Sequence, residues 1–244
     1  MNFSEISDRN WLGKLIRLPL RLIPAQMVVR ILQGRLRGKK WIAGSSVHGC
    51  WLGSYEYNKR HLFERLVQPG QVIFDIGANV GYYTLLASIL TGVTGKVVAF
   101  EPLPQNVYYL KEHLRLNHVQ NVDIIEGAVA EHGGQVSFAQ GQSNSEGHIA
   151  EKGELHVKTY GLDELFEAGT VPHPDILKID VEGGEVAVLL GAQRLLAQMH
   201  PTILLATHSP AWQAQCCDLL SAGGYVIRPI NDTDMRTADE ILAQ

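Results

Sequence analysis

From residue 70 onward, apolar residues come in short runs separated by longer segments of helical spacing. The runs are VIFDI (72–76), KVVAF (96–100), VDIIE (122–126), DILKID (175–180), TILLAT (202–207) and YVIRP (225–229). Each has strand length, and the intervening apolar positions recur every three or four residues, which predicts helices at about 80–91, 104–117, 162–168, 184–198 and 210–222. Strands apolar on both faces and alternating with helices predict a parallel sheet covered on both sides, and right-handed crossovers make it doubly wound. QVSFA (135–139) and LHVKT (155–159) predict a hairpin across a polar loop that contains Ser143, Asn144 and Ser145, and a last short strand is expected near 239–243.

Before the turn at Gln68, Pro69 and Gly70 the pattern changes, so the chain divides into an N-terminal extension (1–69) and an α/β domain (70–244). Residues 1–55 hold nine Lys or Arg against two acids, with no carboxylate between Arg9 and Tyr55, although the whole chain has a formal charge of -4. This basic extension, with Trp11, Leu12, Leu15, Leu18 and Leu22, has two readings. It lies on an anionic membrane surface, or it packs its apolar side on the acidic domain while its arginines stay solvated. Pro19 and Pro24 interrupt any long surface helix. No nucleic-acid-binding motif accompanies the charge, so no nucleic-acid partner is expected.

No apolar run approaches the roughly 18–20 residues of a membrane span. Cys50, Cys216 and Cys217 are odd in number and lack C-x-x-C spacing, which argues against a disulfide framework or a cysteine zinc site. With no apolar leader ahead of a small-residue cleavage site, a cytoplasmic location is expected.

In such sheets ligands bind beyond the carboxyl ends of the strands. The first loop there, DIGANVG (75–81), places Gly77 and Gly81 between a strand and a helix, where a bare backbone turns tightly and approaches a ligand. It lacks the G-x-G-x-x-G of a dinucleotide site, and Asp75 before it disfavours a pyrophosphate but suits an amino group or a sulfonium. Glu101, closing the second strand, stands where a carboxylate accepts from ribose hydroxyls.

DIGANVG at 75–81, AFEP at 99–102 and LKIDVEGGE at 177–185 together resemble the FkbM-type branch of class I S-adenosylmethionine-dependent methyltransferases, over roughly residues 68–230. The resemblance implies a Rossmann-like, seven-stranded, mostly parallel sheet with a reversed last strand, and S-adenosylmethionine as cofactor. It implies that Asp75, Gly77 and Gly81 line the methionine half, with Asn79 beside them; of Tyr82 and Tyr83, which open the next helix, one flanks the cofactor or both simply pack. It also puts Glu101 on the ribose and Glu126 and Ala128 at the adenine. The family works mainly on hydroxyls of sugars and secondary metabolites, which implies O-methylation of a small-molecule or glycan acceptor.

Asp180, ending the fourth strand, is the first candidate to orient or deprotonate that acceptor; its structural alternative is to cap the following helix. His208 is the second candidate base, because imidazole titrates near neutrality. Many relatives carry a carboxylate two residues before the equivalent histidine, where this chain has Ala206, so no metal site is assigned. Tyr55 and Glu56 of the extension are expected either to close over the ligand or to pack between the layers. A nucleotide-dependent oxidoreductase and a non-catalytic, membrane-associated binding module are the other functional classes carried forward.

Overall fold

The computed structural model describes residues 19–140, 147–149, 155–230, 234–235 and 238–244. The expected contacts of Trp11, Leu12, Leu15 and Leu18, and the Ser143, Asn144, Ser145 loop, lie outside the described residues. A seven-stranded sheet forms the centre. In chain order its strands are β3 (Val72–Ile76), β4 (Lys96–Glu101), β5 (Val122–Glu126), β10 (Ile176–Ile179), β11 (Thr202–Ala206), β12 (Ile227–Pro229) and β13 (Glu240–Ala243). They lie side by side as β12-β13-β11-β10-β3-β4-β5, and β13 runs antiparallel to both its neighbours. The last strand is thus the reversed one.

Side chains alternate between the two faces of this sheet, because successive residues of a strand point opposite ways. Phe74, Ile76, Leu177, Ile179, Ile203 and Leu205 face one layer. It is built from α5 (Leu162–Glu167), α6 (Glu185–Leu190), α7 (Gln193–Met199) and α8 (Pro210–Ala222). The segment expected as one helix over 184–198 is therefore two, broken at Gly191 and Ala192. A Cβ on Gly191 would stand 2.2 Å from the carbonyl oxygen of Ala130, so the chain turns there where a neighbouring backbone comes too close for any side chain.

Ile73, Val97, Ile176 and Leu204 face the other layer. That layer combines α3 (Tyr82–Thr91) with α1 (Gly49–Leu52), α2 (Tyr57–Leu66) and the hairpin β1 (Val28–Arg30) and β2 (Lys40–Ile42). The extension supplies Ile31, Leu36, Trp41, Trp51 and Phe63 to the same buried cluster as α3. α4 (Pro104–Leu116) covers the edge nearest β4 and β5 through Leu110 and Leu114. The expected hairpin is present: β7 (Gly134–Gln140) pairs antiparallel with β9 (Leu155–Tyr160), flanked by β6 (Ala128–Val129) and β8 (Gly147–Ile149). Among the described residues no helix is long and apolar enough to cross a membrane.

His113 of α4 joins the extension to the first glycine loop. Its ring stacks on Trp41 at 3.6 Å, Nε2 accepts from the Ile42 backbone N–H at 3.1 Å, and Nδ1 donates to the Val80 carbonyl at 2.7 Å. Burial pushes its pKa down to about 4, so the folded protein keeps the ring neutral. The unfolded chain takes up that proton near pH 6.5, so this group's contribution to stability is whole above that pH. It is lost as pH falls from about 6.5 to 4, by about 3 kcal/mol in all. We expect the melting temperature to fall by several degrees between pH 7 and pH 5. His113→Phe should melt lower at pH 7 yet show a visibly shallower slope; an unchanged slope in that variant would contradict the assignment.

Candidate functional site

A cavity of about 270 Å³ opens beyond the carboxyl ends of β3, β4 and β10. The first glycine loop forms one wall. Gly77 has φ 78° and Asn79 φ 51°, both left-handed. A Cβ on Gly77 would stand 2.0 Å from the Asp180 carbonyl oxygen, so glycine is required by the close approach of the loop to the end of β10. The ligand is not the only reason for its bareness. Asn79 Oδ1 accepts from the Val80 N–H at 2.7 Å, which fixes the turn.

Glu101 lies on the wall but is almost fully buried. It accepts from the Asn79 N–H at 2.7 Å, the Leu103 N–H at 2.9 Å and Asn106 Nδ2 at 3.1 Å. Burial raises its pKa against these bonds. An ionised carboxylate has about four acceptor positions, so three protein donors leave about one for a ligand.

Gly77, Asn79, Tyr82, Glu101, Ala128, Asp180 and His208 all line this cavity, as do Tyr55 and Glu56. The structure places the other expected residues elsewhere. Asp75 is 1% exposed and is used inside the fold. It sits in register with Lys178 of β10, whose ammonium lies 3.2 Å from Oδ1, and Thr84 donates to Oδ2 at 2.6 Å. Gly81 backs onto α4, where a Cβ would meet Leu110 at 2.4 Å. Glu126 ends the edge strand β5 and turns outward to pair with Lys111.

The carboxyl end of β10 carries the charged centre. Lys59, on α2 of the extension, is 4% exposed and lies 3.1 Å from Asp180 Oδ2, 2.9 Å from Glu56 and 2.9 Å from Glu240. Burial opposes its charge, but Asp180, Glu56 and Glu240 raise its pKa overall. Lys178 stands 3.8 Å from the same Asp180 oxygen and donates to the Gly77 carbonyl at 3.1 Å. Burial would push the Asp180 carboxyl up, yet Lys178 and Lys59 hold it down to about 2. The helix after it begins without a side-chain cap, so capping is not what Asp180 does.

His208 follows β11 and precedes α8, whose N-cap Ser209 accepts from the Trp212 N–H at 3.2 Å. The short link from strand to capped helix fixes the ring. Its Nδ1 is 2.6 Å from Glu185 Oε1, and its Nε2 is 3.8 Å from Asp180 Oδ1. Glu185, fully buried at the start of α6, raises the imidazole pKa through that hydrogen bond. The carboxylate that Ala206 cannot supply thus comes from Glu185, through space.

Sequence reasoning gave no role to Lys59 or Lys178. A lysine inside the apolar strand ILKI was a usable signal, since a buried charge needs a partner. For Lys59 the sequence offered only the neighbouring Glu56, because its other two partners lie at residues 180 and 240.

A family model, the FkbM methyltransferase domain, matches residues 75–241. The hexuronic acid methyltransferase AglP of Haloferax volcanii is 31% identical over 146 residues, 56% of this chain and 56% of that protein. The protein-L-isoaspartate O-methyltransferase of Caenorhabditis elegans is 27% identical over 121 residues, 49% of this chain and 50% of that protein. The chain therefore spans about half the length of these relatives. The crystal structure of methyltransferase FkbM from Methylobacillus flagellatus superposes with a TM-score of 0.53 at 18% identity, over 75% of this chain and 49% of that one, a likeness of fold. The motif spacing, the sheet order and the family match agree, and they set aside the oxidoreductase reading. The chain belongs to the FkbM-type family of class I, S-adenosylmethionine-dependent methyltransferases.

Proposed function

We propose that this protein transfers the methyl group of S-adenosylmethionine to a hydroxyl of a sugar or glycan, with His208 as the base. The observation that carries the reading is the His208–Glu185 pair aimed at Asp180 on the cavity wall. S-adenosylmethionine, when bound, supplies an electrophilic methyl group on a sulfonium. The residues present suit it: the walls carry Glu56, Glu101, Asp180 and Glu182 against Lys178 and His208, a negative surplus that favours a cation. Glu101 keeps about one acceptor position for a ribose hydroxyl. Gly77, Asn79, Tyr82 and Ala128 give the remaining contact surface.

Within that cavity Asp180 and His208 divide the work. A carboxyl held down to about 2 stays ionised at neutral pH and is a weak base, so Asp180 orients the acceptor hydroxyl and His208 takes its proton. With Nδ1 donating to Glu185, Nε2 is the nitrogen free to receive it. Methyl transfer is otherwise a matter of in-line alignment, which the packed walls provide. The sugar-acting relative supports a sugar acceptor.

The test is release of S-adenosylhomocysteine across a panel of neutral sugars, hexuronates and amino sugars. Hydroxyl acceptors should be turned over, and turnover of amines alone would defeat the O-directed reading. Calorimetry with Glu101→Gln should show the S-adenosylmethionine Kd raised about 10–100-fold, the effect of weakening a buried, charge-assisted bond. Wild-type affinity in that variant would remove Glu101 from the ribose.

A further inference from the structure

The outer face of the extension has no role in the chemistry above. Of the ten large apolar side chains that are exposed among the described residues, six fall within residues 22–57: Leu22, Met27, Val28, Leu32, Val47 and Tyr57. The others are scattered over the domain. Leu22 is 83% exposed, Leu32 54%, Met27 50% and Val28 46%, so four of them crowd into eleven residues of chain. Exposed apolar groups found singly need no explanation; a concentration of this kind marks a contact surface.

The charges around it are of one sign. Arg30, Arg35 and Arg37 are exposed on the same stretch, with Lys39 and Lys40 half-buried behind them. No Asp or Glu occurs between Arg9 and Tyr55. The first acid after it, Glu56, turns inward, accepting from the Tyr83 hydroxyl at 2.8 Å and pairing with Lys59. On the elements packed against this stretch, Glu64 of α2 is largely buried, borders a depression with Arg35 and Arg65 and lies 3.6 Å from Arg60, while Glu112 of α4 pairs with Arg115. Among the described residues β1 pairs only with β2; Val28 and Arg30 sit on this small two-stranded sheet, Leu22 and Met27 precede it, and Leu32, Arg35 and Arg37 lie on the connection between its strands.

We propose that this face docks on an anionic lipid surface, with Leu22, Met27, Val28 and Leu32 entering the headgroup region and Arg30, Arg35 and Arg37 meeting lipid phosphates. Exposed apolar side chains next to unopposed arginines match the two components of such a surface, which a nucleic acid or an acidic protein patch offers only in part. The inner side of the same layer is cavity wall. The Leu32 N–H donates to the Trp51 carbonyl at 2.9 Å, and the preceding residue of α1, Cys50, lines the cavity with Tyr55 and Glu56. Docking therefore brings the methyl-transfer site close to the plane of the headgroups, where acceptors borne on lipid would be presented.

The test is flotation of the full chain with vesicles of phosphatidylcholine alone and with vesicles containing phosphatidylglycerol, at low and high salt, with S-adenosylmethionine affinity measured on the same samples. The expected result is binding to the anionic vesicles only, weakened by salt, because exposed charges are screened. The triple variant Arg30→Gln, Arg35→Gln, Arg37→Gln should lower the partition coefficient at least about tenfold. Met27→Asn with Leu32→Asn should lower it at low salt too, and both variants should bind the cofactor like wild type. Equal binding to both vesicle types, or undiminished binding in the triple variant, overturns the proposal. So does tight binding to duplex DNA with none to vesicles, or a concentration-dependent dimer abolished by Met27→Asn with Leu32→Asn. Cofactor affinity is read separately, so failure here leaves the methyltransferase reading intact, and the converse holds.

Discussion

His208→Ala is expected to lower kcat by about 10²–10⁴-fold, the range general-base catalysis supplies, while changing the S-adenosylmethionine Kd by less than about twofold. The loss corresponds to about 3–5 kcal/mol of transition-state stabilisation. The same pair sets the pH dependence. The base must be neutral to act, and its hydrogen bond to Glu185 raises the imidazole pKa above its ordinary 6.5. Therefore kcat/KM should rise with pH through an apparent pKa above about 6.5. Glu185→Gln removes the charge that holds the proton, so the rising limb should move to lower pH while the plateau falls, because the ring loses its fixed orientation. A role confined to packing would lower kcat in both variants without moving the limb. Retention of more than a tenth of kcat in His208→Ala would move the proton to another group.

The second large effect is expected at Lys59. Lys59→Met leaves Glu56, Asp180 and Glu240 facing one another around an apolar chain, and removing one partner of a buried ion pair costs about 3–5 kcal/mol. The partner carboxylates are partly solvated, so the lower end applies, and a chain of this size should melt about 6–12 °C lower. Adding Glu240→Gln removes one of the stranded charges and should recover part of that loss. Recovery of this kind identifies coupling between the extension and the last strand, as a double-mutant cycle does. Lys59→Met should also reduce turnover more than Lys59→Arg does, since Lys59 helps keep Asp180 ionised. A melting temperature within about 2 °C of wild type would show that the ammonium has no such part.

Much of this protein is legible in its local pattern. The strands at 72–76 and 122–126 and the helix at 210–222 have the expected bounds, because apolar periodicity and flanking Gly or Pro are written residue by residue. The glycine loop, Glu101 and the ends of β10 and β11 were also readable, since the carboxyl ends of parallel strands gather on one edge of the sheet whatever the side chains. Asp75 shows the limit. Its identity and position were plain, but its partner depended on strand register. Pairing β3 with β10 sets Lys178 directly opposite and turns the carboxylate into the layer under α3. The break near Gly191 was likewise hidden, because it answers to a carbonyl of Ala130 some sixty residues away.

By itself, then, the sequence determined the alternation of strands and helices from residue 70 onward, the loops that gather at the site and the class of ligand they suit, all of which follow from spacing and residue type along the chain. Tertiary structure alone decided which charges meet. Lys59 has only Glu56 within a turn of it until α2 packs over the sheet and brings it to Asp180 and Glu240. His208 lacks a nearby acid until α6 brings Glu185 to its ring. The physical reason is that a buried charge is held by whatever is near it in space, and sequence spacing carries that information only for residues within a turn or two of each other.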